Sequence, residues 1–354
     1  MRRLSYAIIL IPLFLSACAI QFQTSSGNGA SKADGGIFTS LDYGDTWTQK
    51  VFVRQEVKST VTIGNMDIGS ITFDPTDSTT AYASTFANGI WKTVDTASTW
   101  TQTALKTGYV QGFDIDAHET KTLFAGVGNT VQMSTDGGTT WTTVYTNQPG
   151  NTITQVRISP ADGKLIYATT NGNVLLKSTD QGTTWKILYQ FQDDYVKRLT
   201  LLRSDPKIMY AVTTRSLFRS TDGGVTWNDS MGQGLAAVNG LPVNDFTYTD
   251  QKPTVMFVAS NAGLFRSLDA GSTWRLVPTV IPTSTVPILA VAINPFNDKE
   301  IYFTAGATFY KSIDNGVTWQ TLKTVASTRD YRILLAHPRR PGLFYLGTVY
   351  VKRK

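Results

Sequence analysis

The sequence predicts an all-β fold, a seven-bladed β-propeller of four-stranded antiparallel blades closed by pairing of its N- and C-terminal strands. Three observations predict it. An eight-residue pattern, S-x-D-x-G-x-T-W, returns along the chain and ends in Trp47, Trp100, Trp141, Trp185, Trp227, Trp274 and Trp319, seven of the eight tryptophans. The intervals between them are 53, 41, 44, 42, 47 and 45 residues, the length of one four-stranded blade. Beyond residue 20 the apolar residues fall in short alternating runs bounded by turn residues, with no long helical stripe. The composition, 41% hydrophobic, 11% aromatic and 16% charged over 354 residues, supports a packed core and excludes disorder as the main state.

The chain opens on a different signal. Met1-Arg2-Arg3 is a positive n-region, and Leu4 to Leu15 is an apolar stretch too short to span a bilayer as a mature helix, so residues 1–17 read as a secretory signal peptide. Leu15-Ser16-Ala17-Cys18 follows at once and resembles the bacterial lipobox. The resemblance implies acyl chains on Cys18 and hence membrane lipid as a partner, with the chain lipid-anchored in a bacterial cell envelope. Ala19 rather than Asp follows the cysteine, which by resemblance to sorting rules places the outer membrane ahead of the inner one in a two-membraned cell. Cys18 is the one cysteine, so the remainder has neither disulfides nor thiolate metal sites. Residues 18–36, the lipidated Cys and a Ser/Gly/Asn-rich run, form a flexible tether with a reach of roughly 20–25 Å.

Residues 37–354 are a single propeller. Its unit is plainest in residues 68–100, where IGSITFDP, TTAYAST and NGIWKT give three strands before the box. Third strands return as LLKS, LFRS, LFRS and FYKS, and Trp91 occupies the packing slot within that strand. The chain enters on a third strand (Ile37 to Ser40) and leaves on a first (Arg332 to Ala336) and a second (Leu343 to Thr348). One blade is therefore shared between the termini, which leaves no long exposed edge. Val349 to Lys352 competes with Ile37 to Ser40 for its third-strand position.

The S-x-D-x-G-x-T-W pattern resembles the Asp-box, or BNR repeat, a hairpin between the third and fourth strands of a propeller blade. In such a turn the carboxylate accepts backbone N–H groups, Gly supplies a positive φ, and the hydroxyls bind nearby backbone. Asp42, Asp95, Asp136, Asp180, Asp222, Asp269 and Asp314 are thus expected to be structural, not catalytic. Ala97 replaces Gly in the second box and predicts a strained or relaxed turn. Families sharing the repeat differ in function. Sialidases need an Arg-Ile-Pro motif that this chain lacks. Xyloglucan-degrading hydrolases place two carboxylates between two propellers, and Asp67, Asp114 and Asp245 are the acids to examine on that resemblance. Photosystem II assembly factors are single, lipid-anchored, seven-bladed propellers that bind nascent membrane subunits, and sortilin-type receptors are looser relatives.

Recognition in a propeller is expected where loops join successive blades at the channel mouth. Tyr109, Tyr195, Arg198, Arg329, Tyr331 and Arg332 are the candidate binding residues there, an aromatic and cationic set. Net charge is +6, but from Lys323 onward there are eight basic residues and one acid, so the basicity is a C-terminal group able to face anionic lipid or an acidic partner. A stripe suited to nucleic acid is missing. His118 and His337 are the only histidines and lie in different blades, so no metal site and no cofactor is expected. The expected function is a membrane-anchored binding or assembly propeller for a protein or peptide partner. The alternative is an exported glycan-binding protein or glycoside hydrolase.

Overall fold

The computed structural model describes residues 33–57, 59–192, 195–213, 215–231, 242–249, 254–282 and 286–352. Cys18, most of the tether, Asp193, Asp194 and the long run 232–241 lie outside the described residues. Seven four-stranded antiparallel sheets follow one another, and no helix occurs among the described residues. Six blades run in chain order between residues 68 and 322. The seventh joins Thr48–Gln49, Ile37–Ser40, Phe344–Val349 and Asp330–Ala336.

Burial explains the grading across each blade. Second strands such as Ala81–Thr85 and Met256–Ser260 are buried at every position, because both faces pack on neighbouring blades. Fourth strands are short and polar where they meet water, as in Thr101–Gln102 and Asn228–Asp229, which limits the exposed outer edge. Inner strands neighbour one another around the ring, and where Val196–Leu202 meets Val243–Tyr248 the link is the Arg198–Asp245 ion pair.

The closing blade settles the competition for its third position. Ile37 pairs with Gly347, Phe38 with Leu346 and Ser40 with Phe344, while residues 350–352 form no strand. The first strand also starts earlier than its apolar run suggests, at Asp330. Between the first box and the strand that begins at Ile68 lies an extra hairpin of Phe52–Gln55 and Thr60–Thr62. Trp100 fixes it by donating from its backbone N–H to Phe52 O and from its indole to Lys50 O, both at 2.9 Å.

Each box repeats one bonding pattern. Ser40 Oγ donates to Asp42 Oδ1 (2.8 Å) and accepts from the Gly44 amide (2.8 Å). The Thr46 amide and hydroxyl donate to the two carboxylate oxygens at 2.9 and 2.6 Å. Thr93 takes the serine's place around Asp95. Every box holds two consecutive residues at positive φ, for example Tyr43 at 60° and Gly44 at 86°, where the sequence signals only the glycine. Ala97 keeps this conformation at 63° with its methyl group buried in the core beside Trp100. The turn is retained there at a conformational cost of about 1–2 kcal/mol.

The same turns tie blade to blade. The first positive-φ residue presents its carbonyl to the preceding blade, where Tyr82 donates to Gly137 O, Tyr167 to Gly223 O and Tyr210 to Ala270 O at 3.3, 3.4 and 2.8 Å. Arg266 and Lys311 do the same for Asn315 O and Tyr43 O. Each box therefore shapes its own hairpin, and five of the seven latch a neighbouring blade through this carbonyl.

Hydrogen bonds from the Thr side chain, the Thr amide and the Ser hydroxyl hold the carboxyls of Asp136, Asp180, Asp222 and Asp314 at about 2, below their ordinary value of 3.8. A depressed folded-state pKa stabilises the fold fully above the unfolded value and loses that contribution as pH falls through the folded value. The melting temperature is expected to drop between about pH 4 and pH 2, with a smaller slope after Asp→Asn change at these four positions. An identical slope in that variant would contradict the assignment.

Candidate functional site: the channel mouth

An innermost strand pairs on one side only, so its other backbone edge faces the channel with groups that need partners. The inner strands are Ile68–Phe73, Val110–Ile115, Ile153–Ser159, Val196–Leu202, Val243–Tyr248, Ile288–Asn294 and Asp330–Ala336. Side chains from adjacent inner strands supply the partners. Arg157 donates to Leu199 O (2.9 Å) on one side and Phe113 O (3.0 Å) on the other. Asp114 accepts from the Ile158 amide (2.9 Å), Asp245 from the Val291 amide (3.0 Å), and Asn244 donates to Ile288 O (2.8 Å). Asp245 is also ion-paired with Arg198, whose guanidinium lies 4.9 Å from the Phe246 ring centroid. Burial pushes the carboxyls of Asp114 and Asp245 up, against the opposing pull of Arg157 and Arg198 respectively.

All seven inner strands carry a register irregularity near their start, just after the first paired residue in six of them and after the second, Tyr331, in Asp330–Ala336. Such a bulge leaves one residue outside the ladder and re-aims side chains. The displaced residues are Gly69, Gln111, Thr154, Lys197, Asn244, Leu289 and Arg332. Gln111, Lys197, Asn244 and Arg332, with Gln155 and Arg198, line a cavity of about 220 Å³ at this end of the channel. Partial burial, then the nearby Arg332 charge, lowers the pKa of the Lys197 ammonium. Tyr195 donates to Gln111 Oε1 (2.9 Å), and Tyr109 rests on Phe86 with ring centroids 5.0 Å apart. Burial raises both phenol pKa values.

Of the six residues expected at the mouth, Tyr109, Tyr195, Arg198 and Arg332 border it. Arg329 does not: it is buried in an ion pair with Asp67 (2.7 Å) and also bonds Asn65 O, holding the closing blade to the residues after the extra hairpin. Tyr331 does not either. It precedes the bulge, so alternation turns it into the blade, where it is fully buried, stacked on Phe309 and bonded through its hydroxyl to Val325 O. The three acids are likewise engaged, Asp67 by Arg329 and the Tyr350 amide, and Asp114 and Asp245 as above. The box aspartates sit in the hairpins between third and fourth strands, with their carboxylates bonded within their own turns.

The C-terminal basic group is divided. Arg332 faces the channel, whereas Arg339 donates to Pro75 O and Thr76 O, and Arg340 to Thr96 Oγ1, beyond the opposite ends of the inner strands. His337 is buried against Phe73, and no cluster of metal-ligating side chains occurs among the described residues. Lys197, Gln111 and Gln155 were not among the expected site residues. Their signal in the sequence is positional: each stands in the second or third place of a first-strand run.

A profile of the DUF6242 beta propeller domain matches residues 123–332, more than half of the chain. A xyloglucanase from Paenibacillus sp is 28% identical over 273 residues, covering 63% of this chain and 25% of that protein. The chain thus spans about a quarter of the length of that curated relative. The GH74 xyloglucanase from Xanthomonas campestris superposes with a TM-score of 0.61 at 18% identity, over 73% of this chain and 45% of that one. YCF48 bound to D1 peptide superposes with the same TM-score at 16% identity, over 80% of this chain and 94% of that one. At these identities the superpositions establish a shared propeller fold. The chain belongs to the DUF6242 beta-propeller family.

Proposed function

We propose that this DUF6242-family propeller is a binding or assembly protein that recognises a protein or peptide segment at the bulged end of its channel. We further propose that lipid on Cys18 anchors it in a bacterial cell envelope, with the outer membrane as destination in a two-membraned cell. One observation carries the binding reading. The channel carboxylates Asp114 and Asp245 are engaged by backbone amides, Asp245 by Arg198 as well, whereas the mouth presents Lys197, Arg332 and the Tyr109–Phe86 ledge to solvent. That is an arrangement for holding a ligand rather than for shuttling protons between two free carboxyls. The YCF48 structure, 94% of which is covered by this chain and which is bound to a peptide, supports this reading.

A second reading is favoured by the 28% identity to a xyloglucanase: an exported glycan-binding protein or glycoside hydrolase. A peptide array probed with the full chain separates the two. Peptide binding is expected, at least tenfold weaker after Tyr109→Ala with Tyr195→Ala while the melting temperature holds. Reducing-end release from xyloglucan that disappears on Asp114→Ala or Asp245→Ala would replace the binding reading with the hydrolase. For the anchor, Cys18→Ser is expected to move the protein from the membrane to the soluble fraction; retention on membranes would remove lipidation from the account.

A further inference from the structure

The mouth cavity holds two mismatched sets of polar groups. Gln155 is 6% exposed, and its amide orientation is set by donation from Nε2 to Gln111 O at 3.3 Å. Its Oε1 is left buried with no donor. A buried acceptor in that condition is disfavoured and calls for an explanation. Across the same cavity stand Lys197, which makes no hydrogen bond or ion pair among the described residues, and Arg332, which makes one bond to Asp330 at 3.2 Å. Burial first, and then repulsion between these two cations, lowers the Lys197 pKa. Asp245, the carboxylate lining this cavity, is taken by Arg198 and two backbone amides.

Among the described residues the cavity therefore lacks one anion and, beside it, one N–H or O–H donor. Separate waters could satisfy the hydrogen bonds but would not neutralise the charge. Sulfate would balance the charge but set another oxygen against Gln155 Oε1, whereas inorganic phosphate keeps an O–H at neutral pH and is therefore one of the probes below. A peptide residue that carries a carboxylate offers both groups a few bonds apart, since its backbone N–H is close to its own carboxyl. The volume, about 220 Å³, admits such a group while leaving the rest of the segment on the Tyr109–Phe86 ledge.

We infer that this cavity is a carboxylate subsite: an acidic group of the bound segment, side-chain or C-terminal, sits between Lys197 and Arg332 while the N–H of the same residue donates to Gln155 Oε1. The inference rests on the peptide reading above and narrows it to acidic segments.

Calorimetric titration of the full chain in detergent tests it with four probes: Ac-AAEAA-NH2, Ac-AAQAA-NH2, Ac-AAQAA with a free C-terminus, and inorganic phosphate. The first or third peptide is expected to bind at least tenfold tighter than the neutral amide, and which of them does so distinguishes a side-chain from a terminal carboxylate. Lys197→Met and Arg332→Met should each abolish the preference, and Lys186→Met, on an outer strand, should leave it intact. Gln155→Leu should weaken the preferred peptide several-fold but not its analogue N-methylated at the acidic residue. Equal binding of charged and neutral peptides would overturn the subsite and leave the peptide reading standing. Loss of preference in Lys186→Met, or phosphate binding as tightly as the preferred peptide, would also overturn it. Binding of xyloglucan oligosaccharides with no response to any peptide would overturn both.

Discussion

Seven separate sheets make a stable ring only if their open backbone edges are satisfied, and that constraint shapes the rest of the molecule. On the outside the edges are short fourth strands in water. At the seam the edge is consumed by Ile37–Ser40 pairing with Phe344–Val349, which joins the first and last parts of the propeller in one sheet. Around the channel the edges cannot pair with each other, so side chains take over, and Arg157, Asp114, Asp245 and Asn244 each reach a backbone group on the next inner strand. Buried charge in a channel ordinarily suggests chemistry. Here much of it is edge-capping.

That division of roles decides where recognition can occur. The box aspartates are bonded within their turns, and the first carbonyl of most of those turns is held by the preceding blade. Arg329 and Asp67 secure the seam. At the bulged ends of the inner strands, side chains displaced from the ladder converge on one cavity, where Gln155 Oε1 stands without a donor beside Lys197 and Arg332. A bulge at the same place in every inner strand is a consequence of strands leaning together around a ring, and it turns a structural necessity into a set of variable positions.

Much of the fold could be read in the residues, because the box is local: Ser, Asp, Gly and Thr within eight positions specify a turn without help from tertiary structure. Its recurrence, with the entry of the chain on a third strand, gives the seven blades and the shared last one. The extra hairpin was not legible, since Phe52–Gln55 is mostly exposed and lacks an apolar alternation. Nor was the fate of Tyr331 and Arg332. Adjacent residues in a strand face opposite ways, and the bulge between Tyr331 and Ile333 decides which enters the channel. Periodicity alone does not locate such a bulge, so it points to Tyr331 at the mouth and not to Lys197.

The central claim is that boxes build the ring and bulged inner-strand ends recognise the ligand. Hydrogen–deuterium exchange with and without a bound peptide tests it most directly. Slower exchange confined to residues 107–112, 195–198 and 330–333, with the box turns unchanged, is the result the account requires. Protection centred on the boxes, with the inner-strand ends unaffected, would contradict it.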